Sequence, residues 1–390
     1  MTLRERLFVG VLMTGSATTA LVLVVLIPVL PMLAESFGGG SEGAQLSQAV
    51  MTSPALGLIA GGFLSAAAVK AVGTFRLLLA GLALYGLAGT AGLYVSGAPL
   101  MLGSRFLLGV AASFVGIGTT ALIAARYEAV KRAKLLGIKG ALGSVGGISG
   151  ILLGGELGSL GGWRLPFAVY GFGFLLLALL FIARGKATQP APVAVPPPGT
   201  AMKPDASLLS LWPFYLVIVV FGVVLMMTTT QLSFLLDEIG IDEPSQVSRI
   251  AVMASVGAMI GGFGYGRLAA WIGLERIFPV AFLNWSLGLG LLGFAQTPLA
   301  ATIGCVITGI SAGLYMPHMI STLAVKADDK IRDRAIAMLY SAIFLGDFLN
   351  PFVVEPMSVA LTRHGAFRAV AAFTFLSFLF TLYRYMRRRN

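Results

Sequence analysis

Two ionisable side chains interrupt long apolar runs, Arg105 and Asp347. Enclosing a charge among apolar groups is unfavourable unless the charge is paired, so each is a candidate for function. A guanidinium keeps its proton, which suits Arg105 to binding an anion or to adjusting the titration of a nearby carboxylate. Its structural alternative is an arginine that caps backbone carbonyls or extends toward a polar boundary. Asp347 must be either protonated or paired, and either state allows cation binding or proton relay, with a hydrogen bond between helices as the alternative. His318 belongs to the one residue type that titrates near neutral pH, so it can move a proton or simply hold a structural bond. Gln231 is a large hydrogen-bonding group within another apolar run. The remaining chemistry is excluded. No Gly-x-x-x-x-Gly-Lys-Ser/Thr loop is present to drive the protein with ATP. Two histidines, His318 and His364, cannot make a conventional metal cluster, and Cys305 alone makes neither a disulfide framework nor a cysteine cluster. We expect no enzyme, no metal and no cofactor.

The elements that must position these groups are membrane helices. Only 11% of residues are charged while 57% are hydrophobic. That is too little polar surface to cover a soluble chain of this length. The apolar runs approach or exceed the ~20 residues that cross a bilayer as helix. They predict spans at 6–33, 44–70, 74–96, 98–127, 131–157 and 163–184, then 210–238, 245–271, 274–297, 299–326, 331–361 and 363–385. The fifty glycines fit this setting, because small residues let membrane helices approach closely. No cleavable signal peptide is expected, since the first run continues as a normal span. The one long polar stretch, 185–209, is rich in proline and reads as a cytoplasmic linker between halves 1–184 and 210–390.

Loop charges set the orientation. With the N-terminus placed in the cytoplasm, 22 of the 27 Lys and Arg residues fall on that side. Only Arg164, Arg249, Arg363 and Arg368 fall opposite, and Arg105 lies within a span. Both termini are therefore expected inside. The net charge of +11 reflects this bias, so no nucleic-acid partner is implied. Lys139 is expected to extend to the cytoplasmic face, and Glu156 and Glu355 to reach the outer surface. Arg387-Arg388-Arg389 reads as a topological anchor near membrane lipid.

The halves echo each other. Gly73-Thr74-Phe75-Arg76 follows the second span and Gly273-Leu274-Glu275-Arg276 the eighth. Lys131-Arg132-Ala133 follows the fourth and Asp333-Arg334-Ala335 the tenth; Gly162-Trp163-Arg164 precedes the sixth and Ala366-Phe367-Arg368 the twelfth. The arginine offsets run 200, 202 and 204, in order. Twelve spans in a duplicated 6+6 arrangement, joined by a polar linker, resemble the major facilitator superfamily over essentially the whole chain. The loop motif Gly73…Arg76, with Gly266-Arg267…Gly273…Arg276 in the second half, resembles that family's gating loop in spacing. Both of its aspartates are replaced, by Lys70 and Ala270. Arg105-Phe106-Leu107-Leu108-Gly109 is similar to the family's proton-coupling Arg-x-x-x-Gly motif. Gly143, Gly147, Gly150, Gly154 and Gly155 resemble the glycine signature of antiporters, without its Gly-Pro pair. Phe344-Leu345-Gly346-Asp347-Phe348-Leu349-Asn350-Pro351 and Pro28-Val29-Leu30-Pro31 look like segments of small-solute efflux members.

The resemblance implies an all-α integral membrane fold: twelve helices in two pseudo-symmetric six-helix bundles. It also implies that the first, fourth, seventh and tenth spans line a cavity. Thr14, Thr18, Thr19, Ser113, Thr119, Thr120, Thr228, Thr229, Thr230, Gln231, Tyr315 and His318 lie on those spans. Arg105, Asp347, His318, Gln231, Tyr315 and Asn350 are the candidates for substrate binding and proton coupling. The implied activity is alternating-access transport of a small molecule, with proton-coupled export across the bacterial inner membrane leading and the chain acting as a monomer. The alternatives are uptake of an anionic metabolite or siderophore-like compound with Arg105 as counter-charge, copper import through Met226, Met227, Met253, Met259, Met316, His318 and Met319, and a non-transporting sensor.

Overall fold

The structure, a computed structural model, describes residues 2–183, 211–327 and 331–387. The linker 185–209 lies outside the described residues, as do Arg184, Lys330, Arg388 and Arg389. The described residues are helical with no strand among them. Hydrocarbon supplies no hydrogen-bond partners, so a spanning backbone must satisfy itself, and a helix does this within one segment. In chain order the helices are α1 (Leu3–Val24), α2 (Leu30–Ser36), α3 (Gly40–Val72), α4 (Thr74–Thr90), α5 (Ala98–Arg126), α6 (Ala129–Gly161) and α7 (Phe172–Ile182). They continue with α8 (Trp212–Glu238), α9 (Pro244–Ile272), α10 (Ile277–Gly293), α11 (Pro298–Lys326), α12 (Arg332–Leu361) and α13 (Arg363–Arg387). Among the described residues, eleven stretches are long and apolar enough to cross a membrane.

Two spans differ locally from the sequence reading. The first is interrupted by a 3-10 turn at Ile27–Val29 before α2, where Pro28 and Pro31 cannot donate to an α-helical ladder. The sixth opens as a 3-10 segment, Gly162–Gly171, that contains Pro166 and leads into α7. Helix α1 begins on a capping box, in which Thr2 and Glu5 satisfy each other's backbone donors. The Glu5 N–H donates to Thr2 Oγ1 at 3.3 Å, and the Thr2 N–H donates to Glu5 Oε2 at 2.8 Å.

The chain divides into two compact units, Met1–Gly38 with Leu46–Lys203, and Gly39–Gln45 with Pro204–Asn390. Each repeats one device at a 200-residue offset. In the first unit a Cβ on Gly57 would meet the Phe106 carbonyl oxygen, and one on Gly109 would meet that of Pro54. In the second, Gly257 stands against the Val306 carbonyl and Gly309 against that of Ala254. Helices α3 and α5, like α9 and α11, therefore cross backbone on backbone, which glycine alone permits. The turns echo as well. Gly73 and Gly273 share the same left-handed backbone, φ 82° and 85°, before the next helix. Gly162 at φ 68° has its counterpart in Thr362 at φ 67°, the one non-glycine residue with positive φ among the described residues. This turn therefore repeats at 200, and Arg164 and Arg368, 204 apart, do not hold equivalent backbone positions.

Gly109→Val and Gly309→Val are expected to destabilise the purified protein by about 1–3 kcal/mol through overpacking. Gly103→Ala, where a Cβ meets nothing within 4 Å, leaves it unchanged. Thermal unfolding in detergent checks the contrast.

Candidate functional site

In the first unit Arg105 lies on α5 and is fully buried. Its Nη2 donates to the Tyr170 hydroxyl at 2.8 Å and to the Val22 carbonyl at 3.4 Å. Its guanidinium carbon stands 4.6 Å from the Tyr170 ring centre and 5.4 Å from that of Phe167. Desolvated cation–π contacts of this kind contribute on the order of 2 kcal/mol. Tyr85, edge-on to Tyr170, donates to the Thr18 carbonyl at 2.9 Å and closes the box. Arg105 thus joins α1, α5 and the 3-10 segment with no open face for a solute, and its Nε and Nη1 lack partners. Among the described residues no carboxylate is within ion-pairing distance, so the carbonyl-capping reading describes its geometry. The glycine of its motif, Gly109, is the one that lets α5 cross α3.

Lys139 departs from expectation. It does not extend to the cytoplasmic face: it is 5% exposed, and its ammonium turns across to α5. There it donates to the Gly116 carbonyl at 3.0 Å, Thr119 Oγ1 at 2.8 Å and Thr120 Oγ1 at 2.5 Å. These three acceptors satisfy all three ammonium donors, so extension gains nothing.

In the second unit Tyr315 and His318 lie one turn apart on α11 and both contact Phe278. Tyr315 is buried among Phe221, Phe282 and Trp285, with its hydroxyl unpartnered. His318 Nδ1 is 3.3 Å from the Tyr265 hydroxyl, which is 3.0 Å from Ser321 Oγ. Ser321 in turn donates to the His318 carbonyl at 2.9 Å, so the imidazole is tied through two hydroxyls to its own backbone.

Asn350 is committed to packing. Its amide donates to the Val223 carbonyl at 2.7 Å and accepts from Thr230 Oγ1 at 2.6 Å, fastening α12 to α8. One turn earlier Asp347 is 2% exposed, and its Oδ1 has no partner. It lies beside Gly346, whose Cβ position would meet the backbone of Val219 and Gly222, so the two helices touch there. Gln231 is fully buried and accepts from Arg363 Nη1 at 2.7 Å. Arg363 also grips Glu355 through two bonds of 3.1 Å and reaches Glu238 at 3.3 Å. Its guanidinium lies 4.3 Å from the Phe234 ring centre. Glu355 is therefore 3% exposed and paired, not at the outer surface, whereas Glu156 is exposed. Thr362, strained by its positive φ, precedes Arg363. Its hydroxyl accepts from the Gly365 N–H at 3.2 Å, capping α13 as it aims the arginine.

The loop-motif residues are peripheral to these clusters. Gly73, Arg76, Gly266 and Gly273 are exposed. Arg276 donates to the Tyr385 hydroxyl at 2.8 Å. Some expected cavity hydroxyls bond their own helices: Thr14 to the Val11 carbonyl and Thr18 to Gly15. Sequence reasoning missed Tyr170, Tyr265 and Arg363. Only Arg363 carried a signal, a glutamate eight residues earlier at Glu355.

The sequence profile described as Major Facilitator Superfamily matches residues 12–351. Curated relatives include Probable nitrate transporter NarT of Staphylococcus haemolyticus, 25% identical, with 71% of each chain covered. Multidrug resistance protein MdtG of Enterobacter lignolyticus is 28% identical, with 71% of this chain and 66% of that one covered. Among solved structures, the nucleoside transporter NupG superposes with a TM-score of 0.75 at 14% identity, covering 99% of each chain. A D-xylose-proton symporter gives 0.73 at 17%, covering 97% of this chain and 96% of that one.

Arg363→Gln strands the buried Glu355 carboxylate and is expected to cost about 3–5 kcal/mol. Adding Glu355→Gln should recover part of that loss. A double-mutant cycle on thermal unfolding measures the coupling.

Proposed function

The chain belongs to the Major Facilitator Superfamily, and from that premise we propose that this secondary transporter exports a small organic solute in exchange for protons. The carrying observation is Asp347, a 2% exposed carboxylate with an unpartnered oxygen beside the α8–α12 contact. A carboxylate enclosed in this way must gain a cation, donors or water when it holds a charge, whereas its protonated form is neutral and asks for a single acceptor. That makes the proton state a conformational signal, which is what coupling needs. The name of MdtG, a multidrug resistance protein, supports export of drug-like compounds.

The architecture of the proposal is twelve crossings in two six-helix bundles, 1–184 and 210–390, joined by the linker 185–209. Support comes from the apolar stretch Val130–Ile182, which is 53 residues long. At 1.5 Å per residue it is ~80 Å long against ~30 Å of hydrocarbon. Gly162 at φ 68° and the 3-10 segment interrupt it where two crossings would meet. The loop charges support both termini in the cytoplasm of the bacterial inner membrane. The chain acts as a monomer. Arg105 serves the fold of the first bundle. His318, held by Tyr265, is the second proton-accepting group, with Tyr315 and Gln231 as polar neighbours of the solute path.

The test uses proteoliposomes carrying an imposed pH gradient, read with an internal pH dye. Compounds that stabilise the purified protein thermally are added as substrates. Wild type should discharge the gradient on substrate addition, while Asp347→Asn should lose discharge but keep solute exchange at equal pH. Gradient discharge by Asp347→Asn equal to that of wild type rules out the coupling role.

A further inference from the structure

We propose that the Lys139 ammonium is an anion-holding subsite of the first unit, taking an oxyanion group of the transported solute in place of the Thr120 hydroxyl. The inference deepens the transporter reading and rests on it, but not on the role given to Asp347.

The argument begins with charge. Lys139 is 5% exposed, and among the described residues no carboxylate is within ion-pairing distance of it. Its three partners are neutral: the Gly116 carbonyl and the hydroxyls of Thr119 and Thr120. Both hydroxyls send their own protons to the α5 backbone. Thr119 donates to the Val115 carbonyl at 2.7 Å and Thr120 to the Gly116 carbonyl at 2.8 Å. Each therefore offers only lone pairs to the lysine. The ammonium is solvated by dipoles and its charge is uncompensated. Enclosed charge without a counter-ion is the costly arrangement, and an incoming anion relieves it.

Geometry gives the anion a way in. Thr120 is exposed, and so is Gly140 beside Lys139, where a Cβ would meet nothing within 4 Å. Ser144, one turn beyond Gly140 on α6, is exposed as well. On the α1 side, Thr19 Oγ1 is 3.7 Å from where a Cβ on Gly116 would stand, so a further hydroxyl donor faces the same stretch of α5. An oxyanion entering past Thr120 exchanges one neutral acceptor for a charged one. The bond to Thr120 is already charge-assisted by the ammonium, and an anionic acceptor adds direct attraction between opposite charges to it. Lys139 thus fills the counter-charge role that Arg105, sealed behind Tyr170 and Phe167, cannot offer. The solute class implied is an organic acid whose carboxylate takes the subsite, and nitrate presents the same oxyanion chemistry as a probe.

The test uses the full chain purified in detergent, with benzoate and nitrate as probes and benzamide as the neutral counterpart of benzoate. Benzoate or nitrate should raise the melting temperature of wild type saturably, whereas benzamide should not. Lys139→Gln should abolish the saturable rise and Lys139→Arg should retain it. Thr120→Ala frees one ammonium donor while keeping the charge. It should lower the half-saturating concentration by about threefold or more, the scale of one exchanged hydrogen bond. The proposal is overturned if neither anion gives a saturable rise with wild type, or if Lys139→Gln responds as wild type does. Should Lys139→Gln not fold, Thr120→Ala decides: a lowered melting temperature with unchanged half-saturation makes Lys139 a tie between helices only. The two readings fail separately. Proton-driven discharge by Asp347→Asn together with an intact anion response sinks the coupling role alone. Coupling lost in Asp347→Asn with no anion response in wild type sinks the subsite alone.

Discussion

Helices in a bilayer gain little from hydrophobicity when they meet, because lipid tails are as apolar as leucine. What holds each unit together must then be close packing and hydrogen bonds across helices. The α3–α5 and α9–α11 crossings show the first, with glycine backbone lying against carbonyl at Gly57, Gly109, Gly257 and Gly309. Asn350, bridging the Val223 carbonyl and Thr230, shows the second. Without these contacts the aromatic cluster around Tyr315 would have no fixed walls, and Asp347 would not lie at a helix junction.

The enclosed charges follow from the same constraint and reach different solutions. Arg105 is absorbed by a tyrosine hydroxyl, a carbonyl and two aromatic faces. Arg363 is absorbed by an ion pair with Glu355, an amide oxygen from Gln231 and the face of Phe234. Lys139 receives only neutral oxygens. Asp347 receives no partner at its Oδ1. Arg105 and Arg363 lie against aromatic faces within the packing of their helices, whereas Lys139 borders the exposed Thr120 and Asp347 keeps an unpartnered oxygen.

The duplication has a physical as well as a historical reading. A turn that demands a left-handed residue keeps glycine at Gly73, Gly273 and Gly162. At Thr362 the same backbone is held by a residue strained by it, and there the side chain caps α13 and sets Arg363 into its cluster. Symmetry is kept where sterics require it and broken where the second half has a specific arginine to position.

The membrane helices, the repeat and the family were legible in the sequence, because apolar length, glycine spacing and loop charge are local properties that bilayer thickness reads directly. The polar groups worth attention were legible too, since Arg105, Asp347, Gln231 and His318 all stand out in apolar runs. Their partners were not. Tyr170 lies 65 residues from Arg105, and Gln231 lies 132 from Arg363, so only helix packing could bring them together. For the same reason Lys139 and Glu355, whose sequence positions point to membrane surfaces, are enclosed: a long polar side chain follows the nearest good partner, and which partner is nearest is a property of the packed helices.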